Sequence, residues 1–260
     1  MNSLRHYACG HTHHNARQMF RGAPNEVRRF PSGAFLYDTG TVRVLFDTGY
    51  RTGAWHAGWR AAAYRTLLPP VVVDADDIAA QLRGDGVDPA TVTHVVLSHL
   101  HPDHIGGVHR FPGARFVLTA PQLVTLAAPG IRSGVLPGLL PDWFDNADRL
   151  VANSFDTVEL AGRELRAHDL LGDGSYLLVS LPGHAAGHIG ALVERRVLLA
   201  GDAAWGLDLI DGIPRMRPLP RAVQHDVAAY RDSAELVGAL AASGVRVVFS
   251  HDPVSQRELL

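Results

Sequence analysis

The segment Ser98-His99-Leu100-His101-Pro102-Asp103-His104-Ile105-Gly106-Gly107 gathers three imidazoles and a carboxylate between residues 99 and 104. In extended backbone, residues two apart point the same way, so His99 and His101 can present their rings to one point. Asp103 and His104 follow on the turn and can face a second point nearby. Buried together without a partner, these groups would repel or stay unsatisfied, and a metal ion removes that cost. The pattern predicts a metal site. Thr93-His94-Val95-Val96-Leu97 reads as a buried strand leading into it. Pro102 should stop any immediate helix, and Gly106-Gly107 lets the backbone turn closely.

Three further residues occupy comparable places. His184 follows Ser180-Leu181-Pro182-Gly183, Asp202 follows Leu198-Leu199-Ala200-Gly201, and His251 follows Val247-Val248-Phe249-Ser250. Each ends an apolar run, and strand ends of an α/β sheet are where ligands bind and where distant segments converge. Together with the first cluster they supply five His and two Asp, enough for two metal ions. Cys9-Gly10-His11-Thr12-His13-His14 offers similar residue types but no preceding strand and no carboxylate. It reads as a polar loop lining a cleft or meeting solvent.

The positioning elements follow an α/β order. Ala34–Tyr37 and Val42–Phe46 flank Asp38-Thr39-Gly40-Thr41 as a hairpin, and Asp47-Thr48-Gly49 turns out of the second strand. Residues 54–66 carry Trp55, Trp59 and Tyr64 near helical spacing, a stripe that is more often core than cofactor box and that could also wall a pocket. Asp74 to Asp77 can cap a helix running through Leu82. After the cluster come a strand at Arg115–Thr119, a helix starting near Pro121, and an irregular stretch over 129–154 containing Trp143 and Phe144. Short strands are expected near 155–159, 163–167, 176–181, 190–193 and 196–200, then a helix over Val223–Leu240 and a last strand over Val245–Phe249.

Composition narrows the classes. At 260 residues and 47% hydrophobic, the chain has ample material for a core, and without a linker or low-complexity tract it reads as a single domain over 1–260. A formal charge of -2 gives no reason to expect nucleic acid or an anionic membrane. Cys9 is the only cysteine, which excludes an intrachain disulfide and a Cys-based zinc site. Neither a signal peptide nor a run of the ~18 apolar residues of a membrane span is evident, so the default location is cytoplasmic.

The motif His-x-His-x-Asp-His, followed by Pro182-Gly183-His184-Ala185-Ala186-Gly187-His188, then Gly201-Asp202 and Ser250-His251, resembles the metallo-β-lactamase-fold hydrolases. The resemblance runs from about Phe35 to His251 and implies a four-layer αββα sandwich with a dimetal site at one edge. It implies that His99, His101 and His184 hold one ion, that Asp103, His104 and His251 hold the other, and that Asp202 bridges them. By the same resemblance His188 supports a ligand and is not one itself. The redox branch has an acidic residue where this chain has His101, and nuclease branches carry a clamp domain and basic surfaces. The closest group is the N-acyl-homoserine-lactonase-like one, with hydroxyacylglutathione-hydrolase-like thioesterases as the rival. Those lactonases have a Tyr three residues beyond the bridging Asp, and Trp205 stands there. An indole donates one hydrogen bond and cannot give a proton.

The implied chemistry is hydrolysis of a lactone, ester or thioester carbonyl of a small-molecule substrate. Two ions about 3.5–4 Å apart would hold a bridging hydroxide, formed because metal binding lowers the pKa of water to about 7. Asp103 would orient the nucleophile and relay its proton. Zinc is the first choice of metal, and Mn, Fe and Co also suit His and carboxylate ligands. Trp205, Trp143 and Phe144 are expected to wall the substrate pocket and to favour an apolar tail. A protein that binds an acyl ligand without turnover is the non-enzymatic alternative.

Overall fold

The computed structural model describes residues 2–53, 55, 58–253 and 257–260. One six-stranded sheet has the spatial order β1-β2-β3-β4-β5-β6. These are Ser3–Asn15, Val27–Asp38, Arg43–Phe46, His94–Val96, Arg115–Thr119 and Arg149–Ala152. The second has the order β12-β11-β10-β9-β8-β7, where β7 to β12 are Asp156–Leu160, Arg163–Asp169, Tyr176–Ser180, Ile189–Val193, Val197–Gly201 and Arg246–Phe249.

Alternation along the strands builds the layers. Phe35, Tyr37, Phe46, Val96 and Val117 from the first sheet meet Tyr176, Leu178, Ala191, Val197 and Leu199 from the second in one shared core. Their neighbours Leu36, Leu45, Val95, Phe116 and Leu118 face outward onto Ile78, Leu82, Ile105 and Val108. On the other side, Leu177, Val179, Leu198 and Ala200 pack on Tyr230, Ala234, Val237 and Leu240 of the helix Val227–Ala242. Helix, sheet, sheet and helix is the four-layer αββα sandwich. Each large apolar side chain so buried contributes about 1.5–3 kcal/mol.

Parallel pairing then sets the edge at which chemistry can gather. β3 runs parallel to β4 with Phe46 opposite Val96, so Asp47 and Ser98 leave the sheet side by side. β11 runs parallel to β12 with Gly201 opposite Phe249, which brings Asp202 beside the Ser250-His251 turn. The two sheets are tied there by Ile189 N–H donating to Ser98 O at 3.0 Å and Gly33 N–H donating to Ser250 O at 2.7 Å.

Several expectations are corrected. The His11–His14 segment is not a loop but part of β1, whose pairing with β2 shifts between Ala8 and His11, where Gly10 has φ +87°. Pro102 does not stop a helix. It opens the four-residue helix Pro102–Ile105, because the first helical position needs no N–H. Within 129–154, turns of 3-10 helix are followed by β6, which pairs parallel with β5. The last helix starts at Val227 instead of Val223, because Asp226 caps it by accepting from Ala228 N and Ala229 N at 2.9 and 3.1 Å. The helix Ile78–Gly84 is capped by Asp77 as its spacing predicts. Of the helical stretch expected from residue 54, residues 54, 56 and 57 lie outside the described residues, and the helix spans Gly58–Leu67. No described helix is long and apolar enough to cross a membrane.

Candidate metal centre

All seven predicted side chains meet at the sheet edge. The segment after β4 delivers His99 and His101, the helix Pro102–Ile105 delivers Asp103 and His104, and the turns after β9, β11 and β12 deliver His184, Asp202 and His251. The Nε2 atoms of His99 and His184 lie 2.9 and 3.1 Å from Nδ1 of His101. His104 Nε2 lies 3.4 Å from Asp103 Oδ2, and His251 Nε2 lies 3.9 Å from the same oxygen. Asp202 stands between the two sets. Its Oδ1 is 3.6 Å from His104 Nε2, while its Oδ2 is 3.4 Å from His184 Nε2 and 3.0 Å from His251 Nε2.

Each ring is turned by a hydrogen bond on its far nitrogen. His99 Nδ1–H donates to Ser98 Oγ at 3.0 Å, and His101 Nε2–H to Ser133 O at 3.0 Å. His104 Nδ1–H donates to Asp47 Oδ2 at 2.8 Å, His184 Nδ1–H to Gln224 Oε1 at 2.9 Å, and His251 Nδ1–H to Pro31 O at 2.7 Å. Five imidazoles therefore turn their second nitrogen inward, which is how metal-binding histidines are oriented. His188 does not join them. Its Nδ1–H donates to Leu181 O at 2.7 Å, and its Nε2 accepts the backbone N–H of Asp202 at 2.9 Å, so it holds the Asp202 turn in place.

Burial makes the cluster costly without a cation. His99, His104 and Asp202 are 0%, 0% and 2% exposed, and His104 Nε2 and Asp202 Oδ1 have no hydrogen-bond partner among the described residues. Buried polar atoms are almost always paired, and a metal ion satisfies these two. Burial and the neighbouring imidazoles push the His99 pKa well below its usual value and that of His101 down to about 3. Both are thus neutral and ready to donate. Burial alone would raise the Asp103 carboxyl, but His104 and His251 bring it to about 2. Against its burial, His251 is lifted to about 9 by Asp202. The carboxylates demand positive charge, whether as protons or as a metal ion.

Three supporting residues escape the sequence reading. Asp47 accepts from Ser98 N at 2.8 Å and Ser98 Oγ at 2.7 Å as well as from His104. It ends an apolar strand as Asp202 does, a signal that could have singled it out. Ser98 and Gln224 carry no such signal. Gly134, at φ +68°, lets the 130–134 turn rest on His101, since a Cβ there would lie 2.6 Å from His101 Nε2.

The aromatic side chains divide. Trp205 stands at the cluster, its ring 6.4 Å from those of His184 and Tyr230. Phe144 is 1% exposed and packs on Phe116 at 4.9 Å, with Trp143 5.9 Å from the same ring. These two form core against the outer face of β5 instead of the expected pocket wall. A cleft of about 430 Å³ opens at His251 and Trp205, bordered also by Phe30, Arg28 and Asp208. Strand alternation splits the His11–His14 run. His11 and His13 touch edge to face at 4.8 Å, while His14 meets Phe30 at 5.6 Å.

The profile of the metallo-beta-lactamase superfamily matches residues 27–251. The N-acyl homoserine lactonase AttM of Azorhizobium caulinodans is 33% identical over 234 residues, covering 86% of this chain and 79% of that protein. The protein of the same name from Agrobacterium fabrum is 31% identical over the same shares. An N-acyl homoserine lactone hydrolase solved with N-hexanoyl-L-homoserine at its catalytic metal centre superposes with a TM-score of 0.71 at 19% identity, covering 96% of this chain and 93% of that one. The dizinc quorum-quenching lactonase AidC superposes with a TM-score of 0.66 at 16% identity, covering 98% and 88%.

Proposed function

This chain belongs to the metallo-beta-lactamase superfamily and is a metal-dependent hydrolase, and we propose that it hydrolyses the carbonyl of a small lactone or ester. One observation carries the reading: five rings turn their second nitrogen toward two carboxylates, and His104 Nε2 and Asp202 Oδ1 are buried with no hydrogen-bond partner among the described residues. His99, His101 and His184 would hold one ion, Asp103, His104 and His251 a second, and Asp202 both. Two divalent ions held there would polarise the substrate carbonyl and lower the pKa of water toward about 7. Zinc is the metal we favour.

The chain's own residues supply the rest. Asp103 Oδ2 faces His104 and His251, and with its side chain 12% exposed it is positioned to take a proton from the attacking water and release it to the leaving oxygen. Asp47 holds His104 and Gln224 holds His184, so neither ring must reorganise during turnover. Trp205 can orient the substrate by its ring face and one N–H but gives no proton, so the proton that reaches the leaving oxygen must come from elsewhere.

Two observations favour lactone or ester over thioester. The AttM relatives are named lactonases and align over 86% of the chain. Arg215, Arg217 and Arg221, which could meet an anionic thiol carrier, do not border the cleft at His251, and Arg217 Nε–H instead donates to Arg17 O at 2.7 Å. A panel of lactones, aryl esters and thioesters on the metal-loaded protein tests the reading. Turnover of lactone or ester above thioester is expected, and an exclusive preference for an anionic thioester would overturn it.

A further inference from the structure

The cleft that opens at His251 changes character along its length. At its inner end Phe30 is 5% exposed with its ring 6.0 Å from that of His251, and Trp205 forms the facing wall. At its outer end Arg28 of β2 reaches across to Asp208, beyond β11, with Nη1 2.7 Å from Oδ2. Glu26, Val27, Arg29 and Pro253 also line the cleft, and Asp252, next to His251, is engaged by the backbone N–H of Phe249 at 2.8 Å. The volume, about 430 Å³, lies toward the small end of ligand cavities, roughly 300–1,000 Å³.

A substrate carbonyl at the donor cluster that sends its substituent into this cleft passes between Phe30 and Trp205 toward the Arg28–Asp208 pair. An alkyl end would strip water from that pair and return no hydrogen bond, which is unfavourable. A long apolar tail therefore fits poorly. Resting on the hydrolase reading above, we propose that the preferred substrate is a lactone or ester with a short substituent ending in a neutral group that both accepts and donates hydrogen bonds, such as a hydroxyl or an amide. Arg28 donates to that group and Asp208 accepts from it. The pair neutralises itself, so the rim selects for hydrogen bonding and not for net charge.

The test uses the metal-loaded full chain and two lactones of equal chain length, one ending in methyl and one in a hydroxyl or amide. The polar-ended lactone should show a kcat/KM higher by about ten-fold or more. Arg28→Met, and separately Asp208→Asn, should lower that value by about ten-fold without slowing the methyl-ended lactone, so that the discrimination is lost, and the metal content should not change. Calorimetric binding of the ring-opened polar product should weaken in parallel. If the wild type hydrolyses both but prefers the methyl end, or if both variants keep the discrimination, the inference is overturned and the proposed reaction stands. If no lactone or ester is hydrolysed, the proposed reaction fails and the inference with it.

Discussion

The side chain of Gln224 accepts Nδ1–H of His184 at 2.9 Å, forty residues away in sequence. Its own Nε2 donates to Pro220 O at 3.0 Å, which decides which end of the amide faces the ring. The His184 tautomer is thereby set, with Nε2 bare toward His101 and Asp202. Gln224→Leu removes the acceptor and should weaken metal binding by about 10–100-fold in chelator competition. Gln224→Glu keeps an acceptor and should stay closer to wild type, with the nitrogen resonances of His184 reporting the same tautomer. Equal affinity in all three proteins would contradict the role.

Gly134 is required by contact as well as by conformation. Gly134→Ala adds a Cβ 2.6 Å from His101 Nε2 at φ +68°, whereas Gly162→Ala, at φ +72°, meets nothing within 4 Å. Both substitutions carry backbone strain of about 1–3 kcal/mol. Only the first should also displace His101 and reduce bound metal. Thermal denaturation and metal analysis of the two variants, side by side, separate the effects.

Trp205 touches Phe20, His184 and Tyr230 at ring distances of 6.3, 6.4 and 6.4 Å. Trp205→Ala should raise KM or lower kcat for a lactone while both metals stay bound. Trp205→Phe, which keeps an aromatic wall, should recover most of the loss. Unchanged hydrolysis in Trp205→Ala would remove this residue from the substrate site.

His6 gives the fold a pH dependence of its own. It is 2% exposed, stacks on Phe35 at 4.4 Å, and its Nε2 finds no hydrogen-bond partner among the described residues. Burial takes its pKa from 6.5 down to about 4. The unfolded chain therefore binds the proton more readily. The stability due to neutral His6 is complete above about pH 6.5 and drains away as pH falls toward about 4. His6→Leu should flatten the fall in Tm between about pH 7 and about pH 5, measured by calorimetry. Parallel curves for the two proteins would contradict this.

The donor residues were legible because each sits at the end of an apolar strand or in the turn after it, where residue type and local order suffice. The same holds for Asp77, whose cap lies next to the helix it begins. What was hidden depends on pairing across the chain. Nothing near Asp47 says that it will meet His104, 57 residues on, and the carbonyls of Ser133 and Pro31 carry no sequence signal at all. β1 was obscured by its histidines and by the irregularity at Gly10. Phe144 fills the core, and sequence alone does not say so, because an aromatic residue in an irregular segment looks the same whether it roofs a site or packs inside.

The central claim is that seven side chains form a two-ion centre, and elemental analysis of the purified chain measures it directly. Protein expressed in metal-supplemented medium and dialysed should retain about two transition-metal ions per chain. His101→Ala should lower that number, and His13→Ala, altered on the far face of β1, should leave it unchanged. A reproducible content near zero in the wild type, or equal losses in the two variants, would contradict the account.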